Sequence, residues 1–143
     1  MSLFQNNHLF SWAIKCCPPL GHRLPVVAVE IAGQTGEYAP VVGKVDTGAF
    51  RTMLDFATAQ ALGIEDPVAS AQHQGTAHTA TGEQFPYYVH SILVRVSDAT
   101  GPSIVFPLMA AFSDKVTRNL FGVDWLHHLC LAVDRQAVHF LKD

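Results

Sequence analysis

What this chain lacks narrows it first. Charged residues make up only 15% of it, and its nine Lys and Arg form no basic block. Twelve acidic residues bring the formal net charge to -3. Nucleic acid and anionic membrane surfaces select basic patches, so neither is an expected partner. No apolar run approaches the roughly 20 residues of a membrane-spanning helix. Met1 to His8 offer no basic n-region, and Lys15 interrupts the apolar stretch that follows, so no signal peptide is expected. Cysteine is scarce: Cys16, Cys17 and Cys130. An odd count with two adjacent members is no disulfide framework and fits a reducing, cytoplasmic setting. No Asn-x-Ser/Thr acceptor, Gly-x-Ser-x-Gly elbow or phosphate loop is present.

Apolar residues, by contrast, make up 49% of the 143 residues. That argues against intrinsic disorder and for one domain, residues 1–143, with a packed core. So little charge also implies that a partner covers some apolar surface. Eight histidines raise a metal reading. His127-His128 with Cys130, or Cys16-Cys17 with His22, would be the ligands. Adjacent helical residues point about 100° apart, and neither Cys-x-x-Cys nor His-x-x-x-His occurs. No metal and no cofactor are therefore expected.

Short strands dominate the pattern. Leu9 to Lys15 alternate loosely, and Cys16 to Pro19 read as a break. Leu24 to Ala32 and Tyr38 to Asp46 are β-branched runs around a polar turn, a hairpin that delivers Asp46 at the end of its second arm. Asp55 is an N-cap and Gly63 a C′ residue for a short helix whose Phe56, Ala59 and Leu62 share a face. Val68 to Ser97 is long and extended, with a hairpin tip near Thr81-Gly82 and Pro86 marking an edge or bend. Ile104 to Phe112 reads as a strand interrupted by Pro107. Trp125, Leu126 and Leu129 line a second short helix. Leu131 to Val133 and Ala137 to Leu141 close the chain as a hairpin around Asp134 to Gln136. Many short strands with two short helices are an all-β signature.

Val45-Asp46-Thr47-Gly48-Ala49 stands out in this frame. A carboxylate at a strand-to-turn junction is a costly placement unless something uses it. A solvated turn is the plain alternative. Asp-Thr-Gly arises by chance in roughly a few per cent of chains this long, so the tripeptide alone decides little. Its companions are Thr79-Ala80-Thr81-Gly82 on a hairpin and Asn119-Leu120-Phe121-Gly122-Val123-Asp124-Trp125-Leu126. In this order the three segments resemble those of retroviral-type (retropepsin-like) aspartic proteases. Cellular and bacterial single-domain relatives, with a short helix after Asp-Thr-Gly, are closer still. The resemblance spans Leu24 to Leu141 and leaves residues 1–23 as an N-terminal extension.

The resemblance implies a closed acid-protease-like barrel with a flap hairpin. It makes Asp46 catalytic. Aspartic peptidases activate a water between two carboxylates that share one proton, because two so close cannot both ionise easily. One such motif per chain implies a homodimer, Asp46 from each subunit meeting on the two-fold axis. Thr47 would reach across to the partner's backbone, Gly48 would permit close backbone approach, and Ala49 would lie beneath the substrate. Thr79, Ala80, Thr81 and Gly82 would form the flap over an extended peptide. Leu120, Phe121 and Gly122 would brace the loop from behind without chemistry of their own. Asp55, Asp124 and Asp134 are expected to cap or turn.

Two positions depart from the retroviral pattern. An acidic residue after the alanine and an arginine after the later glycine pair in those enzymes. Here they are Phe50 and Val123, so a packing contact is expected in place of the ion pair. Arg51 in the cleft is also unlike them and is expected to bias substrate choice. The alternative function is a non-catalytic peptide-binding or dimerisation module on the same fold.

Overall fold

Strand-forming residues follow one another in short alternating runs, and the structure, a computed structural model, is built mostly of strands. It describes residues 9–13, 15–17, 22–97, 103–133 and 137–141. In chain order the strands are β1 (Leu9–Ala13), β2 (Lys15–Cys17), β3 (His22–Leu24), β4 (Val26–Ala32), β5 (Tyr38–Val45), β6 (Met53–Asp55), β7 (His73–His78), β8 (Gln84–Ser97), β9 (Ser103–Ser113), β10 (Leu120–Phe121), β11 (Cys130–Val133) and β12 (Ala137–Leu141). One α-helix, α1 (Phe56–Ala61), follows β6, and a 3-10 helix spans Val123–His127. Of the two helices expected, only the first is therefore α-helical.

The main sheet has seven strands in the order β4-β5-β10-β6-β9-β8-β7. A further antiparallel pairing of β4 with β8, at Glu30↔Arg95 through Ala32↔Leu93, links six of those strands into a ring. Inside it, Val27, Val29 and Ile31 of β4 alternate with outward residues, as do Ile92, Val94 and Val96 of β8. Strand periodicity of two sends these side chains to one face. A single apolar cluster joins them to Leu54, Leu62, Phe106, Phe112, Phe121, Trp125 and Phe140.

A three-stranded sheet, β1-β12-β11, brings residues 9–13 against the C-terminal hairpin, and Val138 and Phe140 of β12 belong to the same cluster. The turn expected at Asp134 to Gln136 lies outside the described residues. Cys16 and Cys17, read as part of a break, instead pair in β2 with Arg23 and His22 of β3. Nor does Pro107 interrupt β9, which runs through it opposite Leu93. There β9 pairs β8 alone, since β6 meets β9 only from Ala111 to Ser113. A residue without an N–H is tolerated on such an edge.

The helix boundaries follow local chemistry. Asp55 Oδ1 accepts from Thr58 N at 2.7 Å, capping α1. Gly63 takes φ +77°, the left-handed conformation that ends helices, and Ile64 N returns to Ala59 O at 3.0 Å.

Candidate active site

Asp46 leaves β5 between two neighbours. Residues Lys44 and Val45 run parallel to Leu120 and Phe121 of β10. Lys44 N donates to Asn119 O at 2.9 Å and Asp46 N to Phe121 O at 2.9 Å, while on the other side Val45 N donates to Pro25 O at 2.8 Å. The backbone entering the loop is thus held on both edges. The loop then turns on itself. Gly48 N donates to Asp46 Oδ1 at 2.9 Å and Ala49 N to Asp46 O at 3.1 Å. Asp46 and Ala49 are half-buried, whereas Thr47 and Gly48 are exposed. The other carboxylate oxygen, Oδ2, lies 3.5 Å from Lys44 Nζ, with the two side chains 29% and 30% exposed.

Leu120, Phe121 and Gly122 lie directly behind this loop. The Phe121 ring is buried and fills the place of a side chain at Gly43, where a Cβ would stand 2.7 Å from the ring. Gly122 fits against the far side of the loop. A Cβ there would meet Ala49 O and the Arg51 carbonyl carbon at 2.7 Å. Val123 N donates to Ala49 O at 2.9 Å. Trp125 stacks on Phe121, ring centroids 4.5 Å apart, and closes a void of about 10 Å3 lined also by Asp46 and Thr47. Its buried Nε1 has no hydrogen-bond partner among the described residues.

Three residues that the sequence left in minor roles tie the site together. Thr52 is fully buried and offers both N (2.9 Å) and Oγ1 (2.8 Å) to the two carboxylate oxygens of Asp124, while Gly122 N donates to Thr52 Oγ1 at 3.3 Å. Asp124 therefore does more than favour a helix start: it clamps the two loop segments together. Asn119 accepts from Asp55 N at 2.9 Å and donates Nδ2 to Val42 O and Thr58 Oγ1, joining β5, β6 and α1. No single-sequence signal marks these long-range bonds. Lys44 is different, since two residues before Asp46 on a strand is the same face.

The segment Thr79-Ala80-Thr81-Gly82 forms the tip of the β7–β8 hairpin. Its bonds are local: Thr79 N to Glu83 O at 2.8 Å, Glu83 N to Thr79 Oγ1 at 3.0 Å, Gly82 N to Thr79 O at 2.9 Å. Gly82 takes φ +85°, and no atom comes within 4 Å of a Cβ built there, so the tip stands in open space. Among the described residues no hydrogen bond links it to the Asp46 loop. Phe50 makes no intrachain substitute for an ion pair, because it is 85% exposed. With Val123 it borders an open groove of about 330 Å3 that Arg51, Pro107, Met109 and Asp124 also line. Arg51 holds its guanidinium 5.7 Å from the Tyr87 ring centre, at the base of the hairpin. Among the described residues no three His, Cys, Asp or Glu side chains gather as a metal would require, and no helix is long and apolar enough to cross a membrane.

No protein-family profile and no curated protein matches the sequence. Solved structures do match. A retropepsin-like aspartic protease from Rickettsia conorii superposes with a TM-score of 0.57 over 96% of this chain and 94% of that one, at 14% identity. The fold is that of a retropepsin-like aspartic protease. The protease of EIAV, solved with the inhibitor HBY-793, overlaps at a TM-score of 0.44, covering 73% of this chain and 86% of that one, at 19% identity. Within the retropepsin-like fold of this chain, the Asp46 loop, its Leu120 to Gly122 backing and the β7–β8 hairpin are the segments singled out in the sequence.

Proposed function

We propose that this protein is a homodimeric aspartic endopeptidase. It hydrolyses peptide bonds of extended substrates through a water activated by paired Asp46 carboxylates, one per subunit. The observation that carries the reading is the Asp46 loop. A partly exposed carboxylate ends a strand on the retropepsin-like fold, in a loop braced by Phe121, Gly122 and Thr52. The chain holds one Asp-Thr-Gly, and the chemistry needs two carboxylates. An isologous dimer lets one loop serve twice.

The dyad carries one proton. Its charged carboxylate takes a proton from the water, whose oxygen attacks the amide carbon, while the protonated carboxyl donates to the carbonyl oxygen. As the resulting diol collapses, the carboxyl that took the water's proton gives it to the amine nitrogen, the C–N bond breaks, and a diol hydroxyl returns its proton to the other carboxylate, restoring the singly protonated dyad. Thr47 and Gly48 shape the loop, and Ala49 leaves room for the peptide. Thr79 to Gly82 close over it and exclude water. One domain in the cytoplasm, with no metal or other cofactor, completes the reading.

Purified protein is expected to cut unstructured peptides at acidic to mildly acidic pH. Asp46→Asn is expected to remove cleavage by a factor of at least ~1000 while leaving the dimer mass by sedimentation unchanged. Cleavage by the mutant at the wild-type rate would sink the proposal. The exposed Phe50 favours the second reading, a peptide-binding or dimerisation module without turnover. A dimer that binds peptides and never cuts them would establish it.

A further inference from the structure

We propose that Lys44, with Arg51 as a second cation, makes this site select extended peptides carrying an acidic side chain within two residues of the bond presented to Asp46. The proposal rests on the reading above for two things: an extended peptide binds at the Asp46 loop, and the dimer brings two Asp46 carboxylates together to share one proton, whether or not the pair turns substrate over. Val42 and Lys44 alternate along β5 with the buried Val41, Gly43 and Val45, so they share the face turned from the core, and Asp46 follows directly on the strand's last residue. Val42 on that face is 53% exposed. The Lys44 ammonium lies 3.5 Å from Asp46 Oδ2, at the reacting carboxylate itself.

The count of charges in the dimer decides the argument. A dyad sharing one proton holds a single negative charge, and two Lys44 ammoniums flank it. One ammonium is left without a carboxylate. Arg51 adds to the excess, because its guanidinium rests over the Tyr87 ring and makes no ion pair among the described residues. Asp124 is the one carboxylate lining the Arg51 groove, and Thr52 already engages both its oxygens. The other titratable groups there, His127 and His128, bring no negative charge. A chain of net charge -3 thus presents an ammonium at its reactive carboxylate and a second, unpaired cation in the groove beside Asp124. A substrate carboxylate placed there completes the pairing.

The test uses the full chain and a peptide set identical except for Glu, Gln or Lys at one position within two residues of the central bond. Wild-type kcat/KM is expected to favour Glu over Gln on the order of fivefold, the upper range for a partly exposed ion pair. The preference should shrink as salt rises. Lys44→Met should cut the ratio to below about twofold, with Arg51→Met removing the remainder, Lys44→Glu should turn it toward the Lys peptide, and Lys44→Arg should retain it. Circular dichroism checks that each variant is folded. The same peptides are then bound to Asp46→Asn protein by fluorescence polarisation. There Lys44 has lost its partner, and Glu selectivity should rise. Cleavage with equal Glu and Gln rates, or a ratio unmoved by Lys44→Met, overturns this inference and leaves the peptidase standing. Lys44-dependent Glu binding without any cleavage does the reverse. Neither cleavage nor selective binding removes both.

Discussion

The Asp46 loop and the Thr79–Gly82 tip are both glycine-bearing turns at strand ends, yet they are held in opposite ways. Beyond the turn bonds of Gly48 and Ala49 to Asp46, the loop is braced from far along the chain. Thr52 meets Asp124 72 residues away, and Gly122 meets Thr52 across 70. Among the described residues the tip bonds only within its own turn, over two to four residues. Bonds of the first kind break only when the surrounding core opens. Those of the second kind do not depend on the core staying closed. A floor tied into the core and a hairpin tip bonded as a self-contained unit match what the proposed hydrolysis asks of a fixed carboxylate loop and a covering flap.

That contrast can be broken most severely behind the loop. Phe121→Ala empties a fully buried ring site beneath Gly43 and Trp125, and about 3–5 kcal/mol of unfolding free energy is expected to vanish. Denaturant titration reads it directly. A loss under about 1 kcal/mol would mean that the loop does not depend on this packing. Asp124→Ala should cost somewhat less, about 2–3 kcal/mol, because Thr52 N and Oγ1 are left buried without acceptors. Its mark should be local: hydrogen exchange at Thr52 and Gly122 accelerates more than in β8. At the tip, Gly82→Ala forces a side chain into φ +85° with free space around it. A penalty of about 1 kcal/mol or less is expected there, with exchange unchanged at Thr52. If Gly82→Ala instead loosened Thr52, floor and lid would be one cooperative unit and the contrast would be wrong.

How much of this was legible in the sequence follows the same division. Local chemistry was readable. Asp55 caps α1, Gly63 ends it in the left-handed region, and β5 hands Asp46 to its turn, each a matter of neighbouring residues. The Leu120 to Gly122 backing was reached only through resemblance, since nothing between Asp46 and Phe121 in the chain announces that their backbones bond. The Thr52–Asp124 clamp escaped altogether. Asp124 sits at the opening of a 3-10 helix, and a carboxylate there already has a sufficient local explanation. Cys16-Cys17 misled for the opposite reason. The prolines that follow read as a break, but the pairing with β3 holds the strand through Cys17. Pro107 misled likewise, because a sequence does not show which strand edge is left unpaired.

A third region sets the scale for the weakest prediction. Glu30 and Arg95 face each other where β4 pairs with β8 and closes the strand ring, and their side chains join at 2.7 Å and 3.2 Å. Arg95 also lies 3.8 Å over the centre of the Tyr38 ring. The hydrogen bond from Arg95 holds the Glu30 carboxyl below the ordinary carboxylate range, outweighing the opposing effect of desolvation. A carboxyl depressed on folding stabilises the fold at pH values above its unfolded titration, near 4.3. That contribution fades as pH falls through the lower folded value. Glu30→Gln should therefore lower the denaturant midpoint slightly at neutral pH, and the two proteins should converge in acid. The pair is largely solvated, so the gap should be the smallest of the series and narrow in high salt. A gap that persists unchanged in acid would show that Glu30 acts by packing along the Arg95 stem rather than by charge.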